Sequence, residues 1–205
     1  MKNTIKNVIF DLGRVIYNFW PREDLISLGY SEEKANLFME RVYNANVWQE
    51  FDRGTYTLSE MLGKICADYP DMAGDFRRVL DDDWTNRVIT IMPDNLEFFY
   101  DVKRRGFKVY ILTNFPEEGF AHCRKRDKFF DEADGIVVSA HEKLNKPDPK
   151  IFECILNRYK LVPEETLFID DMAYNTDAAK AMGIKAIQFV TLEDCKRQFE
   201  EYAGK

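Results

Sequence analysis

The stretch Val8-Ile9-Phe10-Asp11-Leu12-Gly13-Arg14-Val15 decides the architecture. A short β-rich apolar run ends abruptly on an acidic residue and a glycine. A continuously apolar run bounded by polar residues is what a strand buried on both faces requires. The same arrangement recurs at Val109 to Leu112, Ile136 to Val138, Leu167 to Ile169 and Ala186 to Val190. Helical patterns lie between these runs, and strands alternating with helices predict a parallel sheet covered on both faces, a doubly wound α/β fold. The punctuation agrees: Gly106 closes a segment beginning near Asn95, Pro149 opens the one holding Ile151, Phe152 and Ile155, and Gly183 ends the one holding Ala178, Ala179 and Met182.

From about Asn18 to Thr90 the strand-like runs give way to helix-like ones, as in Lys34, Ala35, Leu37, Phe38 and Val42. The expectation is an inserted helical domain at 18–90, with a Rossmann-like core from 1–17 and 91–205. The turn-like Asp52-Arg53-Gly54 divides the insertion, and Thr57 or Ser59 is placed to cap the helix holding Met61, Leu62 and Ile65.

With 205 residues, 45% of them hydrophobic and 32% charged, the chain reads as an ordinary globular protein with a substantial core. Its net charge of −7 opposes nucleic-acid phosphates, and Arg124-Lys125-Arg126 is too short a basic run to reverse that; a solvated helix face is expected there. Cys66, Cys123, Cys154 and Cys195 form no CxxC pair, so reduced and mostly buried thiols are expected. No run of about 18 apolar residues marks a membrane span and the N-terminus carries no signal-like stretch, so the expected location is cytoplasmic.

Ligands of an open parallel sheet bind beyond the carboxyl ends of its strands. There the sequence places Asp11, then Thr113 and Asn114, then Asp170 and Asp171, with Asn145-Lys146-Pro147-Asp148-Pro149 following the third run. Taken singly, each acidic residue reads as a turn or helix cap and Lys146 as a surface charge. Independent capping does not predict a threonine, a lysine and an acidic pair at successive strand ends. Carboxylates gathered about 4 Å apart repel by roughly 4 kcal/mol per pair at an effective dielectric of about 20, so a positive charge must sit among them. Magnesium suits this set because it takes oxygen ligands and bridges carboxylates to phosphates. Lys146 adds a second cation, and Thr113 with nearby backbone N–H groups suits phosphate oxygens.

These residues resemble the motifs of the haloacid dehalogenase-like hydrolases whose helical cap lies between the first two motifs. VIFDLGRV at 8–15, ILTN at 111–114, KPDPKIF at 146–152 and FIDD at 168–171 occur in the family order, and the match spans nearly the whole chain. The resemblance implies a magnesium-dependent phosphatase acting on a small phosphorylated metabolite, with Asp11 as nucleophile and an aspartyl phosphate as intermediate. It implies that Asp11, the Gly13 carbonyl and Asp171 hold magnesium with Asp170 close by. Thr113 and Lys146 bind the phosphoryl group, and Asn114 orients substrate or phosphate. Arg14 divides evenly between reaching phosphate or cap and lying on the surface.

One position departs from the family pattern. Two residues after the nucleophile the family carries a second aspartate as acid and base, and here stands Gly13. Such a group contributes about 10² to 10⁴ in rate. The DLG arrangement resembles a branch that includes sugar-phosphate phosphatases, notably those acting on glucose 1-phosphate. Two alternatives stay open: carbon–halogen hydrolysis by the same aspartate, which Asp170 and Asp171 disfavour, and a phosphate-binding protein whose catalysis is impaired at Gly13. Oligomeric state is not encoded in any pattern of the sequence.

Overall fold

The computed structural model describes residues 5–204. The outer limits of the expected core, residues 1–4 and 205, lie outside the described residues. In chain order the regular elements begin with β1 (Asn7–Phe10), β2 (Tyr17–Phe19), α1 (Pro21–Ser27), α2 (Glu32–Phe38), α3 (Asn46–Asp52), α4 (Leu58–Asp68), α5 (Ala73–Val79), α6 (Trp84–Val88) and β3 (Ile89–Ile91). They continue with α7 (Pro93–Arg104), β4 (Lys108–Thr113), α8 (Glu117–Arg126), β5 (Gly135–Val138), α9 (Ser139–Glu142), α10 (Pro149–Tyr159), β6 (Thr166–Asp170), α11 (Ala173–Ala181), β7 (Lys185–Gln188) and α12 (Leu192–Ala203).

Five strands form one parallel sheet in the order β5-β4-β1-β6-β7, with β1 at its centre. The chain moves outward from β1 first to one side and then to the other, the doubly wound topology expected from the alternating pattern. Successive side chains of a strand point to opposite faces, and β1 shows the result. Val8 and Phe10 join a core that includes Phe98, Phe99, Val102 and Phe199 from α7 and α12. Ile9 joins a separate core with Ile151, Phe152 and Ile155 of α10. Burial on both faces is why these strands read as unbroken apolar runs.

The helix ends follow from local chemistry. Thr57, rather than Ser59, caps α4 in a capping box with Glu60. Asp148 caps α10, with Pro149 at its first turn. Gly106 and Gly183 adopt φ of +91° and +82° just beyond α7 and α11, a conformation that glycine enters without steric cost.

Three details differ from the sequence expectation. β4 extends to Thr113 and β6 to Asp170, so these residues are the last of their strands and not the first beyond them. β7 ends at Gln188 instead of Val190, its last ladder bond running from the Phe189 N–H to the Asp170 carbonyl at 2.8 Å, where β6 also ends. The segment expected to lack strands is bracketed by β2 and β3, which pair antiparallel with Asn18 opposite Thr90. At three residues each they are too short to impose a periodicity.

The six helices between β2 and β3 share an aromatic interior. Trp48 packs against Tyr43, Phe51 and Trp84, with centroids 4.5, 5.5 and 5.8 Å apart, and Phe38 meets Phe76 at 5.0 Å. The basic run ending α8 is only partly solvated. Arg126 donates to Asp127, Asn86 and the Ile89 carbonyl, which ties the core to the β3 strand. Alongside it the buried Tyr17 hydroxyl donates to Asp127 at 2.6 Å. All four cysteines are free; three are buried and Cys154 is partly buried. Among the described residues no helix is long and apolar enough to cross a membrane.

Candidate active site

At the carboxyl edge of the sheet β1, β4 and β6 lie side by side, so their terminal residues converge whatever their distance in sequence. Asp11 leaves β1 with its N–H bound to the Ile169 carbonyl at 2.9 Å. The chain then folds tightly: the N–H groups of Val15, Ile16 and Tyr17 all donate to the Leu12 carbonyl, and Arg14 takes a left-handed φ of 57°. That turn holds Gly13 at the edge of the sheet and starts β2.

Lys146 is the electrostatic centre. Its Nζ lies 2.7 Å from Asp11 Oδ1 and 2.6 Å from Asp170 Oδ2, and it donates to the Leu112 carbonyl at 3.1 Å. A buried ammonium with three oxygen acceptors has every N–H donor satisfied. Burial pulls its pKa down, but Asp11 and Asp170 outweigh that effect and hold it above the ordinary lysine range. Asn114 fixes the backbone from which this side chain springs. Its Oδ1 accepts the Lys146 N–H at 2.8 Å and its Nδ2 donates to the Lys146 carbonyl at 3.0 Å.

The acidic pair divides its work. Asp170 is fully buried, and besides Lys146 it accepts the Met172 N–H and Asn175 Nδ2, both at 2.9 Å. Asp171 is more open, its nearest cation being Arg14 Nη1 at 3.8 Å from Oδ2. Burial and the neighbouring Asp170 raise the Asp171 carboxyl to about 6. Burial likewise pushes Asp11 up to about 7; Lys146 opposes this, while Asp170 and Asp171 add to it. Carboxyls of Asp11, Asp170 and Asp171 each present an oxygen within 4.8 Å of the others. An all-oxygen donor set with more negative charge than one lysine neutralises fits a hard divalent cation.

The other expected residues are nearby. Thr113 is buried at the end of β4. Arg14 stacks on Trp20 at 4.3 Å and donates to the Phe19 carbonyl at 3.2 Å, so it lies along the junction with the helical segment. Beside Gly13 opens a cavity of about 70 Å³, whose walls include Phe19, Trp48, Asp52, Trp84 and Asn114.

Asp52 is the residue that sequence reasoning missed. Its sequence marks only a turn with Arg53 and Gly54, yet as the last residue of α3 it lines this cavity. Burial pushes it up to about 8; Asp11 adds to this and Lys146 opposes it. One signal was available. A carboxylate at a helix C-terminus opposes the helix dipole, and an arrangement that is locally unfavourable points to another use.

Comparisons with known proteins converge on one family. The chain is 28% identical over 190 residues to a sesquiterpene phosphatase of Aspergillus oryzae, spanning 90% of this chain and 89% of that protein. It is 24% identical over 203 residues to a D-ribitol-5-phosphate phosphatase of Bacteroides thetaiotaomicron, spanning 90% and 91%. Among solved structures, a haloacid dehalogenase family enzyme from Bacteroides thetaiotaomicron in complex with magnesium and inorganic phosphate shares the fold. Its TM-score is 0.73 at 24% identity, covering 96% of this chain and 100% of that one. The haloacid dehalogenase-like hydrolase family description matches residues 5–183, and the chain belongs to that family.

Proposed function

We propose that this hydrolase is a magnesium-dependent phosphatase of small phosphorylated metabolites, sugar phosphates among them, working through an aspartyl phosphate on Asp11. The observation that carries this reading is the convergence of Asp11, Lys146, Asp170 and Asp171 at one sheet edge. The phosphatase relatives support it as well, one of them named for a sugar-alcohol phosphate.

Asp11 attacks phosphorus, the ester P–O bond breaks, and water then releases phosphate from the acyl phosphate. Lys146 stabilises the Asp11 carboxylate and, with Thr113, holds the phosphoryl oxygens as charge develops on them. Asn114 positions Lys146 through its two backbone hydrogen bonds and lines the substrate cavity. Asp11, Asp171 and the Gly13 carbonyl would hold magnesium, with Asp170 close by. The bound cation supplies charge neutralisation between the carboxylates and the phosphate. Residues 18–90 act as a cap over a core of 1–17 and 91–205, and Arg14 serves the junction between them.

The test is phosphate release from a panel of phosphorylated metabolites with and without magnesium, beside Asp11→Asn. The proposal expects turnover that needs magnesium and falls on the order of 10⁴-fold in the variant. Turnover that survives Asp11→Asn removes Asp11 from the mechanism, and chelator-insensitive hydrolysis of a haloacid restores the carbon–halogen reading.

A further inference from the structure

The geometry points to Asp52, delivered by the cap helix α3, as the acid and base that position 13 lacks. This assignment rests on the phosphatase reading above and deepens it. Three observations converge. First, the space where the usual side chain would lie is empty: a Cβ placed on Gly13 would meet no heavy atom within 4 Å. Second, Asp52 lines the same cavity as Gly13, and its carboxyl lies close enough to Asp11 and Lys146 to feel their charges. Third, that carboxyl is uncommitted: among the described residues no hydrogen bond or ion pair is made by the Asp52 side chain.

Its backbone, by contrast, is held firmly. The Asp52 carbonyl accepts the Ser139 hydroxyl, the Gly54 carbonyl accepts Lys143 Nζ, and the Gln49 carbonyl accepts Asn145 Nδ2 at 2.7 Å. Three core side chains thus bind the carboxyl end of α3, and Asn145 directly precedes Lys146. The arrangement fixes where Asp52 sits while leaving its carboxyl free for a reacting group. Burial favours its protonated form, the one an acid needs.

The proton balance is complete with Asp52 alone. As Asp11 bonds to phosphorus and the ester bond breaks, the Asp52 proton passes to the departing alkoxide, giving an alcohol. In the second half, water attacks phosphorus and gives its proton to the Asp52 carboxylate. The bond between phosphorus and Asp11 breaks, phosphate leaves, and both aspartates return to their starting states.

The experiment compares an unactivated ester, n-propyl phosphate, with 4-nitrophenyl phosphate, whose leaving group needs no proton, in the full chain with magnesium. In Asp52→Asn, turnover of the propyl ester is expected to fall by about 10² to 10⁴. Formation of the aspartyl phosphate from the nitrophenyl ester should fall less than about tenfold. Its hydrolysis, deprived of a base, should then limit turnover, so nitrophenolate appears as a burst of about one equivalent per chain. Introducing Gly13→Asp into that variant is expected to restore propyl ester turnover at least about tenfold. Equal losses on both esters with no burst and no rescue would show that Asp52 is only structural, and unchanged turnover of both esters would likewise overturn the assignment. A parent chain that releases phosphate from neither ester, nor from any of the metabolite panel, removes the phosphatase reading itself and this assignment with it.

Discussion

The sheet edge and the helical insertion, which meet at the cavity beside Gly13, are built by opposite means. At the edge the buried charges hold one another: Lys146 is bound by Asp11, Asp170 and the Leu112 carbonyl, and Asp170 in turn by Met172 and Asn175. In the insertion the framework is aromatic packing around Trp48 and Trp84, and the one acidic residue among the described residues lining the cavity, Asp52, makes no side-chain hydrogen bond or ion pair. A dense network makes a rigid reaction centre, whereas an apolar framework with one polar group can be altered at its walls without disturbing the chemistry. Rate should therefore reside in the edge and in Asp52, and substrate choice in the apolar walls of the insertion.

The contrast can be broken most severely at Lys146. Lys146→Met leaves Asp11 and Asp170 facing each other in a buried site, and losing one member of such a cluster costs about 3 to 5 kcal/mol. Denaturant unfolding without magnesium should show that loss, and saturating magnesium should recover part of it by binding the freed carboxylates. A loss under about 1 kcal/mol would mean that the network is far looser than its distances.

A smaller effect is expected where the two regions meet. Tyr17→Phe removes the hydroxyl that donates to Asp127, leaving a mostly buried carboxylate with one donor fewer, at about 1 to 2 kcal/mol. Burial opposes ionisation of Asp127, but Arg126 and Tyr17 together hold its carboxyl below the ordinary value of 3.8. Its contribution is therefore fully present above that pH and drains away as pH falls through the depressed folded value. The difference between Tyr17→Phe and the parent should narrow on acidification below about pH 4, and a difference that widens instead would contradict the assignment.

The smallest expected effect lies inside the insertion. Thr57→Ala removes one half of the capping box on α4 and should cost about 1 kcal/mol. It should leave kcat on any substrate unchanged, because α4 contributes no group to the edge network. A fall in kcat beyond about threefold would show that the helices transmit their stability to the reaction centre.

The same contrast explains what could be read from the sequence. Asp11, Thr113, Lys146, Asp170 and Asp171 were legible because each stands at or just beyond an apolar strand run or in a proline-marked turn, and a parallel sheet brings such positions together. Asp52 was not, since helices of seven residues carry weak periodicity and the following Arg53-Gly54 reads as an ordinary stop. The partners β2 and β3 escaped because three residues impose no pattern, and their pairing joins positions seventy or more residues apart. For Asn114 the place was foreseeable but the pairing was not: both ends of its amide are bound to the Lys146 backbone, a fact of tertiary structure that no local spacing encodes.

The grip of Ser139, Lys143 and Asn145 on the end of α3 bears on how such proteins can be recombined. A chimaera that grafts this insertion onto a foreign core would carry Asp52 but leave behind the residues that aim it. Only a transplant including 139–146 moves the whole unit, so the natural seam for shuffling crosses the apparent domain boundary instead of following it.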